Sequence, residues 1–186
     1  MKIENIKIRE AVAADAPLVG KVVLMALHYD DTHPFAPIFA ELAAREVSQY
    51  SYRNALVAEV NGTVAGAIVG YDGERLKELR EPLLSLVMER EGRVLEIEDE
   101  TSAGEFYIDS LAVLPQFRGC GVGRALLSTA RDRAFAAGFE RVGLLVDFEN
   151  PRAEALYRSL GFGRVNATTF LGHDMWHLQA CYKMIP

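Results

Sequence analysis

The spacing of apolar and polar positions predicts an alternation of strands and helices along the chain. A first strand runs to Lys7–Glu10, and from Asp15 onward apolar residues recur at helical spacing. A second helical segment is predicted over residues 37–49. Two apolar runs then flank Asn61-Gly62, the dipeptide that most strongly signals a tight β-hairpin. The first part of the chain is therefore predicted to fold as a strand, two helices and a hairpin.

The later part of the chain repeats strand and helix twice. Residues Phe106–Val113 are aromatic and branched, as strands prefer, and the helical pattern that follows ends at Gly138. Arg141–Asp147 is apolar enough to form a buried strand. Asn150 can cap the next helix, which Gly161 ends. Strands and helices in this order predict an α/β fold.

Residues 72–104 form a long connection between the hairpin and the strand at Phe106. An amphipathic helical pattern runs through this connection, and Pro82 is predicted to break it. A helix that covers the sheet, a lid over a site and a dimer surface all fit the pattern, because long connections often carry function. The acidic run at 96–100 is interpreted as a solvated face.

Composition narrows the class of protein. The 186 residues are 50% hydrophobic and 25% charged, which predicts one soluble domain over residues 1–186 with a sizeable core. A net charge of −6 and a pI near 5.3 argue against nucleic acid as a partner. We find no apolar targeting core, no run of membrane-spanning length and no disulfide framework, so a cytoplasmic location is expected. The four histidines do not fall at metal-ligand spacing, so no metal is expected.

A glycine-rich segment, Gln116–Arg124, joins the strand at Phe106 to the next helix. Glycines at a helix N-terminus let a ligand approach the backbone, and free N–H groups there attract anions. A P-loop is excluded because Arg124-Ala125 follows the last glycine, and a dinucleotide fingerprint fails because Arg124 occupies the place of its third glycine. A pyrophosphate cradle and a loop that only turns the chain remain. The cradle would consist of Arg118, Gly119, Cys120, Gly121, Val122, Gly123 and Arg124.

Three segments together resemble a known family. They are Leu111-Ala112-Val113, the Arg-x-x-Gly-x-Gly segment Arg118–Gly123, and Asn150-Pro151-Arg152-Ala153 continuing through Leu156-Tyr157 to Gly161-Phe162. In this order they resemble the GNAT superfamily of acyl-CoA-dependent N-acetyltransferases. The resemblance implies a GNAT-like fold with a mixed, mostly antiparallel central sheet flanked by helices on both faces. It also implies acetyl-CoA as the co-substrate, with no metal.

The resemblance also implies roles for individual residues. The main-chain groups of Leu111 and Val113 would lie near the thioester, and Asn150, Ala153 and Tyr157 would complete the cofactor site. Tyr157 matches the family's tyrosine that protonates the departing thiolate, a proton transfer that a phenol can perform. These assignments predict a catalytic acid on the helix that Asn150 begins.

The general base is the least defined role. Asp109 lies two residues before Leu111 and is predicted to share its face of the strand. Glu105 lies four residues before Asp109, so the same alternation places it on the same face. Asp147 ends the next strand. Proton removal through a bound water suits either Asp109 or Glu105. Leu145 stands near the place where some family members carry a glutamate, which argues against that version of the site.

The resemblance predicts transfer of an acetyl group from acetyl-CoA to a primary amine of a small molecule or peptide, by direct attack on the thioester. The alternative is a catalytically silent acyl-CoA-binding or regulatory module on the same fold. Asp30, Asp31 and Glu41 fall where the acceptor pocket is usually shaped and point to a cationic acceptor. His177 is expected to be structural, with a substrate contact as the alternative. A homodimer and an amine acceptor are the expected partners, and a membrane is not.

Overall fold

The computed structural model describes residues 5–182, and a seven-stranded sheet lies at its centre. The strands are β1 (Ile6–Glu10), β2 (Ala55–Val60), β3 (Thr63–Asp72), β4 (Phe106–Val113), β5 (Arg141–Asp147), β6 (Gly163–Phe170) and β7 (His173–Cys181). They lie in the order β1-β2-β3-β4-β5-β7-β6. Neighbouring strands are antiparallel except β4 and β5, which are parallel. The predicted mixed, mostly antiparallel sheet is confirmed.

Helices pack on both faces of the sheet, as predicted. They are α1 (Ala16–Ala26), α2 (Ala36–Ala44), α3 (Leu76–Glu91), α4 (Val122–Ala136) and α5 (Pro151–Ser159). Leu126 and Leu127 of α4 belong to one apolar cluster with strand side chains. Val23, Leu42 and Leu86, from α1, α2 and α3, belong to a second cluster on the opposite face. Helix α2 is shorter than the predicted segment, because the residues after Ala44 form bends and turns.

Strands β4 and β5 part from each other halfway along their length. They pair only from Phe106 opposite Val142 to Ile108 opposite Leu144. Beyond these pairs β4 stays with β3 up to Val113, while β5 stays with β7. The sheet therefore opens into a cleft between two strands whose facing backbone groups have no strand partner there.

A β-bulge lies at Asp109, where the two strands separate. The β3–β4 register passes from Val69 opposite Ser110 to Gly70 opposite Ile108, so Asp109 has no partner on β3. An extra residue of this kind shifts the alternation of side chains between the two faces. The prediction that Asp109 and Leu111 share a face is therefore wrong. Leu111 packs on the α4 cluster, whereas the Asp109 carboxylate is bonded on the other face.

Helix α3 lies within the connection of residues 72–104. The predicted break at Pro82 is wrong, because α3 continues through this residue. Leu83, Leu86 and Val87 are buried against the sheet side of the molecule. Their packing outweighs the one backbone hydrogen bond that a proline cannot make. Of the earlier interpretations, a helix that covers the sheet describes α3.

No helix within residues 5–182 is both long enough and apolar enough to cross a membrane.

Candidate active site

The loop after β4 brings the glycine-rich segment to the N-terminus of α4. Gly119 and Gly121 have φ values of 75° and 85°, in the left-handed region that favours glycine. Gly121 is the N-cap residue and has no side chain to accept the first N–H groups of the helix, which begins at Val122. These donors are therefore available to an anion, as in helix termini that bind phosphate.

Two arginines flank this helix end and keep their guanidinium groups exposed. Arg118 donates from Nε to the Val113 carbonyl oxygen at 3.1 Å, and Arg124 donates from Nη2 to Ser159 Oγ at 2.8 Å. Cys120 lies between them as a free thiol, 3.4 Å from the Arg118 carbonyl oxygen. The predicted cradle residues are thus together in one loop, with positive charge on both sides.

The open edge of β4 presents main-chain groups to the cleft. Leu114 donates its N–H to Ala65 of β3 at 2.8 Å. Because successive residues of a strand point their N–H groups to opposite sides, the amides of Leu111 and Val113 point away from β3, toward the gap left by β5. The Val113 carbonyl, on the same side, accepts the Arg118 bond. Two backbone donors therefore face the gap between β4 and β5.

Helix α5 forms the other wall of this cleft. Asn150 caps α5 by accepting the Ala153 N–H at 3.1 Å through Oδ1, and Pro151 is the first helical residue. Tyr157 lies further along α5, and its phenol makes no hydrogen bond to any residue in the described range 5–182. Burial raises the pKa of Tyr157 to about 12, so the phenol keeps its proton at neutral pH.

We call the opening between β4 and β5 the splay cleft. Its walls carry Asp109, Leu111, Leu145, Val146, Asp147, Asn150, Ala153 and Tyr157, together with side chains from residues 25–29 and from the β6–β7 turn. Leu111, predicted for thioester contact, and Tyr157, predicted as the acid, therefore line the same cleft. Asp147 also lies here, but its carboxylate accepts the Glu149 N–H at 2.7 Å and lies 3.2 Å from His173 Nδ1.

A second opening, the apolar cleft, adjoins the splay cleft. It is lined mainly by aromatic and aliphatic side chains, with a few polar groups. The lining includes Tyr29, Phe35, Phe39, Tyr50, Leu83, Leu95, Ile97, Phe170, Leu171 and Met175, with Gln49, Glu100, Asp109 and Ser110 as the polar members. Asp109 and Leu145 line both clefts. Asp109 therefore stands at the boundary between them.

The Asp109 carboxylate accepts hydrogen bonds from neutral donors. Ser110 Oγ lies 2.7 Å from Oδ1, while Tyr71 OH and Gln49 Nε2 lie 3.0 Å and 3.1 Å from Oδ2. Burial raises the pKa of Asp109, and these hydrogen bonds only partly oppose the shift. A carboxylate held in this way is a stronger base than an exposed one.

Glu100 lies beside Asp109 and shares two of its donors. Gln49 Nε2 and Tyr71 OH lie 2.7 Å and 3.1 Å from Glu100 Oε1. Arg80, only 5% exposed, bonds the second oxygen of Glu100 and also pairs with Asp99 at 2.9 Å. Burial, and then the negative charge of Asp109, raise the pKa of Glu100 to about 7. The interpretation of residues 96–100 as a solvated face is wrong for Glu100, which is 6% exposed.

Glu105 has a different environment from Asp109. It is 3% exposed and does not line either cleft. Thr101 Oγ1, Gln179 Nε2 and His177 Nε2 lie within 2.6, 2.7 and 3.1 Å of its oxygens. Burial alone would raise its pKa, but these hydrogen bonds outweigh burial and lower the pKa. Its bonded carboxylate and its place away from both clefts fit a structural group, and His177, its partner, is structural in the same way.

The acidic residues first associated with the acceptor lie elsewhere. Asp30 is bonded to Thr32, and Asp31 is paired with Lys21 at 2.7 Å on the surface. Glu41 pairs with Arg45 and Arg90. The acidic groups of the apolar cleft are instead Glu100 and Asp109, and sequence reasoning missed Glu100, Gln49 and Arg80. The acidic run at 96–100 was the only signal in the sequence, and it did not distinguish Glu100 from its exposed neighbours.

Two parted parallel strands and the capped start of α5 therefore line one cleft, and the uncapped start of α4 follows the end of β4. The sequence model of the acetyltransferase (GNAT) family matches residues 24–162 of the chain. The chain belongs to the GNAT family. Within the described part of this GNAT protein, no group of three or more His, Cys, Asp or Glu side chains is arranged to hold a metal ion.

Individual relatives differ in their sequence identity to this chain and in how much of it they match. Mycothiol acetyltransferase from Beutenbergia cavernae is 46% identical over 63 residues, which are 34% of this chain and only 20% of that protein. A crystal structure of an acetyltransferase is 36% identical, with a TM-score of 0.79, and the match covers 95% of this chain and 100% of that one. The PaiA N-acetyltransferase of Thermoplasma acidophilum, solved in complex with coenzyme A, has a TM-score of 0.57 at 18% identity over 96% and 99% of the two chains, which shows the fold alone.

Proposed function

We propose that this GNAT protein transfers an acetyl group from acetyl-CoA to a primary amine. The observation that supports this most is the splay cleft, which Leu111 and Tyr157 line. The uncapped N-terminus of α4 lies between the end of β4 and α5, since a Cβ on Gly123 would lie 3.6 Å from Val113 Cγ2 and 3.8 Å from Leu156 Cδ2. A thioester supplies an activated acyl group, and its pyrophosphate is the anion that such a helix end attracts. The alternative, a silent acyl-CoA-binding module, would need the same helix end but no acid or base.

Cofactor binding is assigned to the loop at Arg118–Arg124 and to the start of α5. The N–H groups at the start of α4 would hold the pyrophosphate, with Arg118 and Arg124 adding charge. Gly123 has no Cβ, so a ligand can approach the helix backbone closely at this end. Asn150 and Ala153 would border the chain that leads toward the thioester, between β4 and α5.

Removal of the proton from the amine is assigned to Asp109. The nucleophile must be a neutral amine, so a base has to accept the proton of an ammonium group directly or through water. Asp109 stands between the two clefts and carries a raised pKa, whereas Glu105 is enclosed by three donors. Asp109 is therefore preferred over Glu105 as the base.

Stabilisation of the negative charge that develops on the acyl oxygen is assigned to the backbone amides of Leu111 and Val113. Fixed donors in a site with little water stabilise such a charge without having to reorganise. Tyr157 is assigned the final proton transfer to the departing thiolate. Its phenol is protonated at neutral pH and is not engaged with another residue of the described chain. The acid is thus in the protonation state that this role requires.

Gly123→Ala tests the cofactor assignment with little effect on the fold. A Cβ there would lie 3.6 Å from Val113 Cγ2 and 3.8 Å from Leu156 Cδ2, which are ordinary contacts, and alanine favours helices over glycine. We expect the melting temperature without ligand to be unchanged or higher, and the affinity for CoA to fall at least tenfold, because the methyl group blocks the backbone from the pyrophosphate. The affinity is measured by titrating CoA and following the thermal shift.

Gly163→Ala is the matched control, since a Cβ there meets nothing within 4 Å and the residue lies on β6. It should leave the affinity for CoA as in the wild type. Unchanged CoA affinity in Gly123→Ala would remove the cradle from this loop. Binding of CoA without thiol release from acetyl-CoA, across a library of primary amines, would favour the silent module.

A further inference from the structure

The apolar cleft is lined by a continuous row of aromatic rings. The rings of Tyr29 and His33 stack with their centroids 3.7 Å apart. Phe39 makes edge-to-face contacts with Phe35 and Tyr50, at centroid distances of 5.9 Å and 5.1 Å. The connection of residues 72–104 adds aliphatic groups to the lining, namely Leu83, Leu95 and Ile97. Walls of this kind bind apolar groups by removing their surface from water. Sugars and polyamines would bring polar groups that these walls cannot pair.

The polar end of the same cleft has more negative than positive charge. Arg80 is shared by Glu100 and Asp99, and Asp109 forms no ion pair with a residue of the described chain. The Oε1 atom of Gln49, a residue that is 3% exposed and lines the cleft, accepts no hydrogen bond from the described residues. A buried carboxylate without a cation and a buried acceptor without a donor are both costly, and one cationic donor group would satisfy both.

The β6–β7 turn brings apolar side chains over the mouth of the cleft. Leu171 has a φ of 50°, a left-handed conformation that is unusual for a bulky side chain. Glu98 accepts the Leu171 N–H at 3.3 Å and so connects the turn to the connection of residues 72–104. Leu171 lines both clefts, and Phe170 lines the apolar one. Asparagine tolerates this backbone conformation better than leucine does. We therefore attribute the leucine at this position to its side chain, which covers the mouth of the apolar cleft.

We infer that the apolar cleft binds the acceptor as a primary ammonium carried on an apolar body, either aromatic or branched aliphatic. The ammonium lies at Asp109 and Gln49, with Glu100 behind them, and the body lies between the aromatic row and Leu171. Asp109 then accepts one proton from the ammonium group. Loss of this proton frees the lone pair of the nitrogen, which attacks from the apolar cleft toward the splay cleft. The N–C bond that forms and the C–S bond that breaks are those of the proposed acetyl transfer, on which this inference rests.

The test compares four probes of different chemistry with the full chain. 2-Phenylethylamine has both the amine and the apolar body, 2-phenylethanol lacks the amine, and spermidine and glucosamine lack the apolar body. We expect kcat/KM for 2-phenylethylamine to exceed that for spermidine and glucosamine by about ten- to a hundredfold, the value of burying one aromatic ring. 2-Phenylethanol should inhibit competitively against the amine and much more weakly than the amine binds.

Leu171→Asn separates the role of this side chain in binding from its role in the fold. Asparagine tolerates a positive φ, so stability should be unchanged or higher. We expect KM for 2-phenylethylamine to rise about tenfold while KM for acetyl-CoA stays within twofold. Val165→Thr is the control, because Val165 is an exposed apolar residue of the neighbouring strand that lines neither cleft.

Glu100→Gln tests the charge at the polar end. It should raise KM for 2-phenylethylamine and leave inhibition by 2-phenylethanol unchanged, a split that a general loss of packing would not produce. Glu96→Gln, an exposed change in the same segment, should alter neither. Equal or better activity with spermidine or glucosamine, or wild-type KM in both Leu171→Asn and Glu100→Gln, would overturn the inference. Absence of turnover with every amine, with CoA still bound, would instead overturn the proposed function.

Discussion

Two side chains of the splay cleft, Tyr157 and Asp109, have pKa values raised by burial. Burial raises the pKa of Tyr157 to about 12, and this residue therefore stays protonated at neutral pH. Asp109 also has a raised pKa from burial, but it keeps three neutral donors. At the scale of single residues, these two side chains are the ones proposed as acid and base.

Tyr157→Phe removes one hydroxyl and keeps the ring in place. We predict that the affinity for acetyl-CoA stays the same while turnover falls by roughly 10²–10⁴-fold, the range for a positioned proton donor. A loss confined to turnover indicates an interaction made in the transition state. Tyr182→Phe removes an exposed hydroxyl elsewhere and serves as the control. Wild-type turnover of Tyr157→Phe with several amines would leave this tyrosine a packing role.

Asp109→Asn and Glu105→Gln distinguish the two carboxylates. If Asp109 is the base, its ionised form is needed, so activity falls as the pH drops through its raised pKa, and Asp109→Asn abolishes this acidic limb. Glu105→Gln is predicted to keep the limb and to lower stability, because it weakens the bonds from His177 and Gln179. Rate–pH profiles with amines of different pKa separate the enzyme's limb from that of the acceptor. The reverse pattern would assign the base to Glu105.

At the scale of elements, the splay of β4 and β5 and the start of α5 create the site together. The bulge at Asp109 turns this side chain toward the apolar cleft, while the residues after it keep their amides on the open edge. Helix α5 starts at Asn150, and Glu154 of α5 pairs with Arg164 of β6 at 2.7 Å. The position of Tyr157 therefore depends on where α5 begins.

Asn150→Ala tests the helix cap. We expect it to lower the free energy of unfolding by about 1 kcal/mol, since the Ala153 N–H loses its acceptor. Asn150→Ser keeps an oxygen able to accept this bond and should regain most of the stability, as measured by urea unfolding. Turnover that stays low in Asn150→Ser at restored stability would show that the amide contacts the cofactor. If Asn150→Ala is as stable as the wild type, the cap does not hold α5.

At the scale of the whole molecule, the buried carboxylates connect the site to global stability. Glu100, Asp109 and Arg80 lie between the sheet and the connection of residues 72–104, so their ionisation affects the packing of both. A group whose folded pKa is raised binds more protons in the folded state than in the unfolded chain. Stability from such a group is therefore present at low pH and is lost as the pH rises.

We predict that the free energy of unfolding decreases between about pH 4.5 and about pH 7, the window set by the raised pKa of Glu100, by roughly 1–3 kcal/mol. The raised pKa of Asp109 acts in the same direction. The pKa of Glu105 is lowered, so its contribution to the free energy of unfolding is present at neutral pH and is lost as the pH falls below the usual range of a glutamate. Glu100→Gln should flatten this decrease, and Glu96→Gln should not. The measurement is urea unfolding at several pH values, and an unchanged slope in Glu100→Gln would contradict the assignment.

Local sequence signals determined most elements and the glycine-rich loop before α4. Asn61-Gly62 marked its hairpin, Asn150-Pro151 marked the start of α5, and the glycines of Arg118–Gly123 marked the uncapped start of α4. Each of these depends on backbone conformation within a few residues, which short segments encode. The domain boundaries and the catalytic roles of the site residues stay predictions.

Only the tertiary structure decided which residues meet at the apolar cleft. Strand alternation placed Asp109 on the wrong face, because a bulge depends on the register with β3 and not on β4 alone. Pro82 did not break α3, because packing against the sheet exceeds the local cost of proline. Gln49, Arg80 and Glu100 come from distant segments, and their burial and shared charges exist only after the chain has folded around them.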